Sequence, residues 1–518
     1  MGVSRWCPFA PRVMMRTRSM KAAQCSESVI TRNWLRLVFL IVGLFFIKAA
    51  VYAWLVTPLW ATPDEAGHYS YIEDLAEGNY PVLGKAKMGL DTTQSWQGTG
   101  VAPRLNWIAQ HPPLYYALDA PILVAARATG MDFDHQVRST RLLTAFFGAA
   151  ALAGLALFIA RSTGSSELGL AAAIFIGATP MFLHLSSGVT HDTLLACIGA
   201  WAAERYSCWL ATRDVRFAYT CAVLLALGCI TKITVLALAV PLVMLIGLQL
   251  LLVKAKWRTR LLHILGVGVA AFLPITMWMV RNVLLFGHPL ADSSMLDHPV
   301  TRVPIGPWEL ISTQPFWQQT FLYYVGLLGW SSDGALRLLQ MSGIPLTFFT
   351  GATLFTSLIA MLYPIYRHCS SWPYRSGMVL AAMLITTYAI RIQTQTDQVA
   401  VTWTCIALAG AIIVTGLTNV GSLLSGIVEK QILASACVCV IFFSSLYFFH
   451  LLSNYQGILA ATQGRYFYPV LPFFVLILAW PWRSPDWGRF SLVLALSAMI
   501  FCDAFYLTQA FRFYGQVY

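Results

Sequence analysis

The sequence predicts an all-α polytopic membrane protein, and three observations carry that prediction. Of 518 residues, 58% are hydrophobic and only 11% are charged. Apolar runs of roughly 20 residues, the length a helix needs to cross a bilayer, recur to the end of the chain. Lysines and arginines gather in alternate connections, as they do on the cytoplasmic side of membrane proteins.

About thirteen spans can be placed by apolar run length. They lie near 35–60, 141–161, 167–187, 192–212, 216–231, 233–253, 261–284, 344–366, 375–391, 398–419, 431–452, 467–482 and 490–510. Residues 1–34 read as a basic cytoplasmic N-terminal segment, rich in Arg12, Arg16, Arg18, Lys21 and Arg32, and 35–518 as a single transmembrane domain. Arg213 and Arg216, the Lys254 to Arg260 cluster, Arg367 and Arg375, and Arg483 and Arg489 then share the inner side. The net charge of +12 is a topology signal, and without a soluble basic domain a nucleic-acid partner is excluded.

Pro113 to Ala126 is apolar but short, so it reads as an interfacial helix; making it a span would place the 254–260 cluster outside. The outer face then holds a first loop at 61–140, the turn at 190–192, a second long loop at 285–343, and the turn at 453–466. No cysteine falls in those loops, which argues against a disulfide framework, and no Cys-x-x-Cys metal pattern occurs. The first 30 residues hold no apolar core ahead of a cleavage site, so no cleaved signal peptide is expected.

The outer loops hold the candidate chemistry. In Thr62-Pro63-Asp64-Glu65-Ala66-Gly67-His68, Thr62 could cap a helix, Pro63 could begin it and Glu65 could complete a capping box. The same stretch puts Asp64 and His68 four residues apart on one face, as a metal pair or as a base with its orienting partner. Gln110-His111-Pro112-Pro113-Leu114-Tyr115-Tyr116 reads as an interfacial anchor, which leaves His111 unexplained. Thr190-His191-Asp192 opens another helix on the same side. Arg465 in Gln463-Gly464-Arg465-Tyr466, and Arg281 beside Asn282, could clamp a phosphate or could snorkel at the interface. The aromatic stretch from Trp308 to Trp330 could cover a sugar or serve as an interfacial belt.

Taken in order, Pro63-Asp64-Glu65-Ala66-Gly67-His68, His111-Pro112-Pro113-Leu114-Tyr115-Tyr116, Asp192 and Gly464-Arg465-Tyr466 resemble the GT-C superfamily of membrane glycosyltransferases. The likeness is to bacterial members of the dolichyl-phosphate-mannose-protein mannosyltransferase and aminoarabinose-transferase type. It implies a polyprenyl-phosphate sugar donor, a glycolipid, polysaccharide or protein acceptor, and a site on the periplasmic face of the bacterial inner membrane. It also implies Asp64 as catalytic base, with Glu65 or His68 orienting it, and His111, Arg465 or Arg281 at the donor phosphate. His191 and Asp192 would form a supporting acidic or metal site. No cofactor is required by this pattern, although Asp64, His68, His111 and Asp192 offer ligands for a divalent metal. A transporter or flippase of lipid-linked sugars is the competing reading, since many spans with few soluble residues fit it equally; Lys48, Glu204, Lys232 and Asp503 are candidate intramembrane charges, although Lys232 also fits an outer turn.

Overall fold

The computed structural model describes residues 30–253, 255–290, 431–432, 434–442, 444–445, 464–483 and 485–517. The basic residues before 30, the second outer loop beyond 290 with Trp308 to Trp330, the spans at 344–366, 375–391 and 398–419, and the turn at 453–463 lie outside the described residues. The described chain is helical, and the one β pairing among these residues is an isolated bridge between Lys87 and Leu105.

Helix α1 runs Arg32–Val51, begun by Thr31, whose hydroxyl accepts from the Trp34 amide at 3.1 Å. It ends in a π-helical turn, Tyr52–Val56. The segment expected as the first outer loop holds α2 (Glu65–Ala76), α3 (Leu90–Gln97), a 3-10 turn (Trp107–Gln110) and α4 (Leu114–Ala128). Helix α4 carries a buried Asp119 and packs on α2. At 15 residues it reaches only about 22 Å, short of a bilayer core.

Helix α5 (Phe133–Thr163) is the central strut, lying along α1, α6 (Ser166–Ala178) and α8 (Asp192–Thr212). Its closeness to α8 depends on small residues, since a Cβ at Gly154 would stand 3.1 Å from that of Ala200. The run expected as one span at 167–187 is two pieces, α6 and α7 (Pro180–Ser186), bent by 71°. The cause is local: Thr179 precedes a proline and takes an extended ψ of 120°, which ends one helix, and Pro180 starts the next. Further helices are α9 (Val215–Cys229), α10 (Leu236–Leu252), α11 (Trp257–Phe286), α12 (Leu471–Ala479) and α13 (Pro485–Val517), and the described residues between 431 and 445 are also helical.

Among the described residues, four helical stretches are long and apolar enough to cross a membrane, or five with the bent pair counted as one. The chain is an integral membrane protein. Among the described residues, Lys48 pairs with Asp503, and Glu204 pairs with Arg161 and Arg205.

Candidate active site

Four chain segments converge at the ends of their helices and bring Asp64, Asp192, Lys232 and Arg465 together. Contrary to a capped start at Thr62 and Pro63, α2 begins at Glu65, and Asp64 precedes it in a left-handed conformation with φ of 64°. That turn swings the carboxylate off the helix's own amides, and it makes no capping hydrogen bond. A non-glycine residue held there is strained by about 1–3 kcal/mol, a pattern that clusters at functional sites. The Asp64 side chain stays 21% exposed, whereas those of Asp192 and Arg465 are each 4% exposed.

Arg465 opens the 3-10 turn Gly464–Val470. Its Nη2 lies 2.8 Å from Asp64 Oδ2 and its Nη1 lies 3.3 Å from Asp192 Oδ2, so one guanidinium joins both acids. The turn that carries it rests directly on α8, where Gly199 faces the Pro469 carbonyl with no room for a Cβ. Gly199→Ala is therefore expected to push Arg465 away from Asp64. Displacements of about 1 Å at such sites cost on the order of 10²-fold in rate. Activity measured beside protein level tests this, and a parent-like rate would contradict it.

Lys232, ahead of the Ile233–Val235 turn, completes the charge set. Its Nζ is 3.6 Å from Asp192 Oδ1 and 4.3 Å from the centre of the Tyr466 ring. Two acids thus face two bases. For Asp64, burial raises the pKa, but the charge of Arg465 and the bonds from Arg465 and Trp107 carry it below the ordinary value.

Three histidines line the same space as neutral rings. Burial takes His68 down to about 4, and burial followed by the charge of Lys232 takes His111 and His191 well below their ordinary value. His68 Nδ1 and His191 Nδ1 both meet the Tyr116 hydroxyl, at 2.9 and 3.2 Å. The His111 ring lies edge-on to His191 at 4.8 Å. His111 is therefore held neutral in this packing, and the permanent cations of the group, among the described residues, are Arg465 and Lys232.

Two other sequence candidates stand elsewhere. Glu65, grouped with Asp64 from the sequence, turns the opposite way into a fully buried pair with Arg141, at 2.8 and 2.9 Å. Its Oε1 also accepts from the Val189 amide at 2.9 Å. Arg141 spends its other N–H groups on the Ala53, Thr57 and Pro58 carbonyls, which the turn after α1 exposes. This is a structural knot and not an orienting partner for Asp64. Arg281 stacks between Tyr80 and Trp278 and donates to Pro81 O at 3.3 Å, with no bond to the Asp64 group among the described residues. The sequence reading placed Lys232 in an outer turn without a role and Tyr116 in an interfacial anchor, and it did not single out Trp107 or Arg141.

Among the described residues, no group of three or more His, Cys, Asp or Glu side chains is arranged to hold a metal ion. The Nδ1 atoms of His68 and His191 are engaged by Tyr116, and the carboxylates face Arg465 and Lys232.

Behind the site, Glu73 on α2 accepts from Thr92 at 2.7 Å and from Ser70 at 3.2 Å. Burial pushes its carboxyl up to about 7, against those bonds and the charge of Arg127. Its folded pKa thus lies above the unfolded one. The stability it contributes is present below about 4.5 and is lost as pH rises through about 7. Glu73→Gln is expected to raise the unfolding temperature in detergent at pH 8 more than at pH 5. An equal change at both pH values would contradict this.

With the geometry in place, comparison with known proteins adds one match within the chain. Residues 121–278 match the family model for dolichyl-phosphate-mannose-protein mannosyltransferase. The resemblance seen in the short motifs is borne out over that segment, which runs from α4 to α11 and holds His191, Asp192 and Lys232. Asp64, His111 and Arg465 lie outside it. No curated protein matches the chain. Among solved structures, ArnT from Cupriavidus metallidurans bound to undecaprenyl phosphate aligns at 16% identity over 87% of this chain and 78% of that one, with a TM-score of 0.35. The apo state of the same protein aligns at 16% identity over 87% and 77%, with a TM-score of 0.33.

Proposed function

We propose that the protein is a GT-C glycosyltransferase that moves a sugar from a polyprenyl-phosphate donor to an acceptor hydroxyl at the periplasmic face of a bacterial inner membrane. The family match supports the reaction class and the polyprenyl-phosphate donor. The observation that carries the mechanism is Asp64: a partly open carboxylate, held on both oxygens by Arg465 and Trp107, in an otherwise buried group that also holds Asp192 and Lys232.

The reaction is a single displacement with inversion. The acceptor oxygen attacks the anomeric carbon while its proton passes to Asp64, and the bond from that carbon to the phosphate oxygen breaks with its electron pair leaving on the phosphate. Arg465 and Lys232 offset the charge that develops there. A depressed pKa keeps Asp64 ionised but makes it a weak base. The phosphate leaving group compensates, because departure is already easy and proton removal is needed only late. The neutral histidines and Tyr116 shape the space and donate hydrogen bonds without adding charge.

Acceptors in this reading are hydroxyls of a glycolipid, a polysaccharide or a protein. A divalent metal has no assigned step. Of the charges a flippase could use within the membrane, Lys48 pairs with Asp503, and Glu204 with Arg161 and Arg205. Membranes supplied with a donor labelled in its sugar distinguish the two. The proposal expects labelled acceptor and freed polyprenyl phosphate, whereas translocation of intact donor without transfer would favour the flippase.

A further inference from the structure

Both oxygens of Asp64 are held by donors from outside its helix. Arg465 takes Oδ2 at 2.8 Å, and the indole N–H of Trp107 donates to Oδ1 at 3.0 Å. An aspartate's terminal torsion is broad and soft, so one donor would leave the carboxylate free to rotate, while donors on both oxygens fix its plane. The left-handed backbone at Asp64 makes outside anchors necessary, because it turns the side chain off the α2 amides.

The Trp107 turn is built to stay in place. Gly67, in the first turn of α2, lets the 106–108 backbone settle on the helix: a Cβ there would meet Ile108 Cγ1 at 2.6 Å and Asn106 Oδ1 at 3.1 Å. Asn106 is fully buried; its Nδ2 donates to Gly67 O at 3.0 Å and its Oδ1 accepts from the Ile108 amide at 3.0 Å. The indole is then steadied on its outer side, where the exposed Arg104 lies 4.9 Å from the Trp107 ring and 5.5 Å from that of Trp96. Three features of one short segment therefore converge on the aim of a single N–H.

We propose that Trp107 is a positioning residue for Asp64, the second anchor that sets the direction from which the base receives the acceptor's proton. This rests on the reading of Asp64 as the base. Trp107→Phe keeps an aromatic ring and removes the N–H. A hydrogen bond to the charged form lowers a carboxyl pKa, so its loss raises that of Asp64, and the acid limb of the pH–rate profile moves to higher pH.

The test is steady-state transfer from a polyprenyl-phosphate sugar by the full-length protein in detergent, over a pH series, for the parent, Trp107→Phe, Arg104→Ala and Asp64→Asn. Trp107→Phe is expected to lower kcat about tenfold, leave the donor KM within about twofold, and move the acid limb upward. Arg104→Ala, at an exposed position, keeps the N–H but loosens the indole, and a drop in kcat of about twofold to threefold is expected. Parent-like kcat and an unmoved acid limb in Trp107→Phe, with Asp64→Asn inactive, would overturn the positioning role alone. An active Asp64→Asn would instead overturn the base itself. Should Trp107→Phe fail to accumulate, Arg104→Ala decides: lowered kcat supports the role and a parent value overturns it.

Discussion

Asp64→Asn is expected to lower sugar transfer by about 10²- to 10⁴-fold, the range general-base catalysis contributes, while the protein accumulates at the parent level. Asparagine is nearly isosteric with aspartate, and its amide oxygen can still accept from Trp107. Arg465 is not stranded, because its Nη1 keeps Asp192 at 3.3 Å. What vanishes is the basic oxygen. Donor KM is expected to stay the same or fall, since Arg465 loses a competing carboxylate and is freer to meet the donor phosphate. Normal transfer by this variant would remove Asp64 from the mechanism.

The adjacent acid should behave in the opposite way. Glu65→Ala or Arg141→Leu is expected to prevent accumulation of folded protein, because removing one partner of a buried ion pair costs about 3–5 kcal/mol. Arg141→Leu also strips donors from the carbonyls of Ala53, Thr57 and Pro58, and each buried acceptor left unsatisfied costs about 1–3 kcal/mol more. Fluorescence-detected size exclusion of tagged variants reads this directly. A monodisperse Glu65→Ala protein with parent thermal stability would show that the knot is dispensable. Two neighbouring carboxylates thus separate cleanly, with activity falling at 64 and folding failing at 65.

That separation marks how far the sequence could be read. Periodicity and run length located α1, α10 and α11 to within a few residues and α5 from its third turn onward, because apolar spans are long local signals. The helix start at Asp192 and the Arg465 turn were likewise legible from local residue chemistry. The choice of Asp64 over Glu65 came from family resemblance, because the left-handed turn that parts the two side chains leaves no mark in a Thr-Pro-Asp-Glu string. Arg141 was invisible for another reason: it lies 76 residues from Glu65 inside a long apolar helix, and only the folded chain brings them together. Lys232 and Trp107 reach the site from separate elements in the same way, as tertiary contacts without local signature. His111 was legible as unusual, but its charge was not, because burial and the nearby Lys232 set it. The break at Thr179-Pro180 had a local signal in the proline, overridden in the reading by the apolar run around it.

The central claim is that Asp64 removes the acceptor's proton while the polyprenyl phosphate departs. Its most direct test is the yield of free polyprenyl phosphate and of labelled acceptor from the same purified preparation, for the parent and for Asp64→Asn. Equimolar release and transfer by the parent, with both lost in Asp64→Asn, is the predicted result. Equal turnover by the two proteins would contradict it.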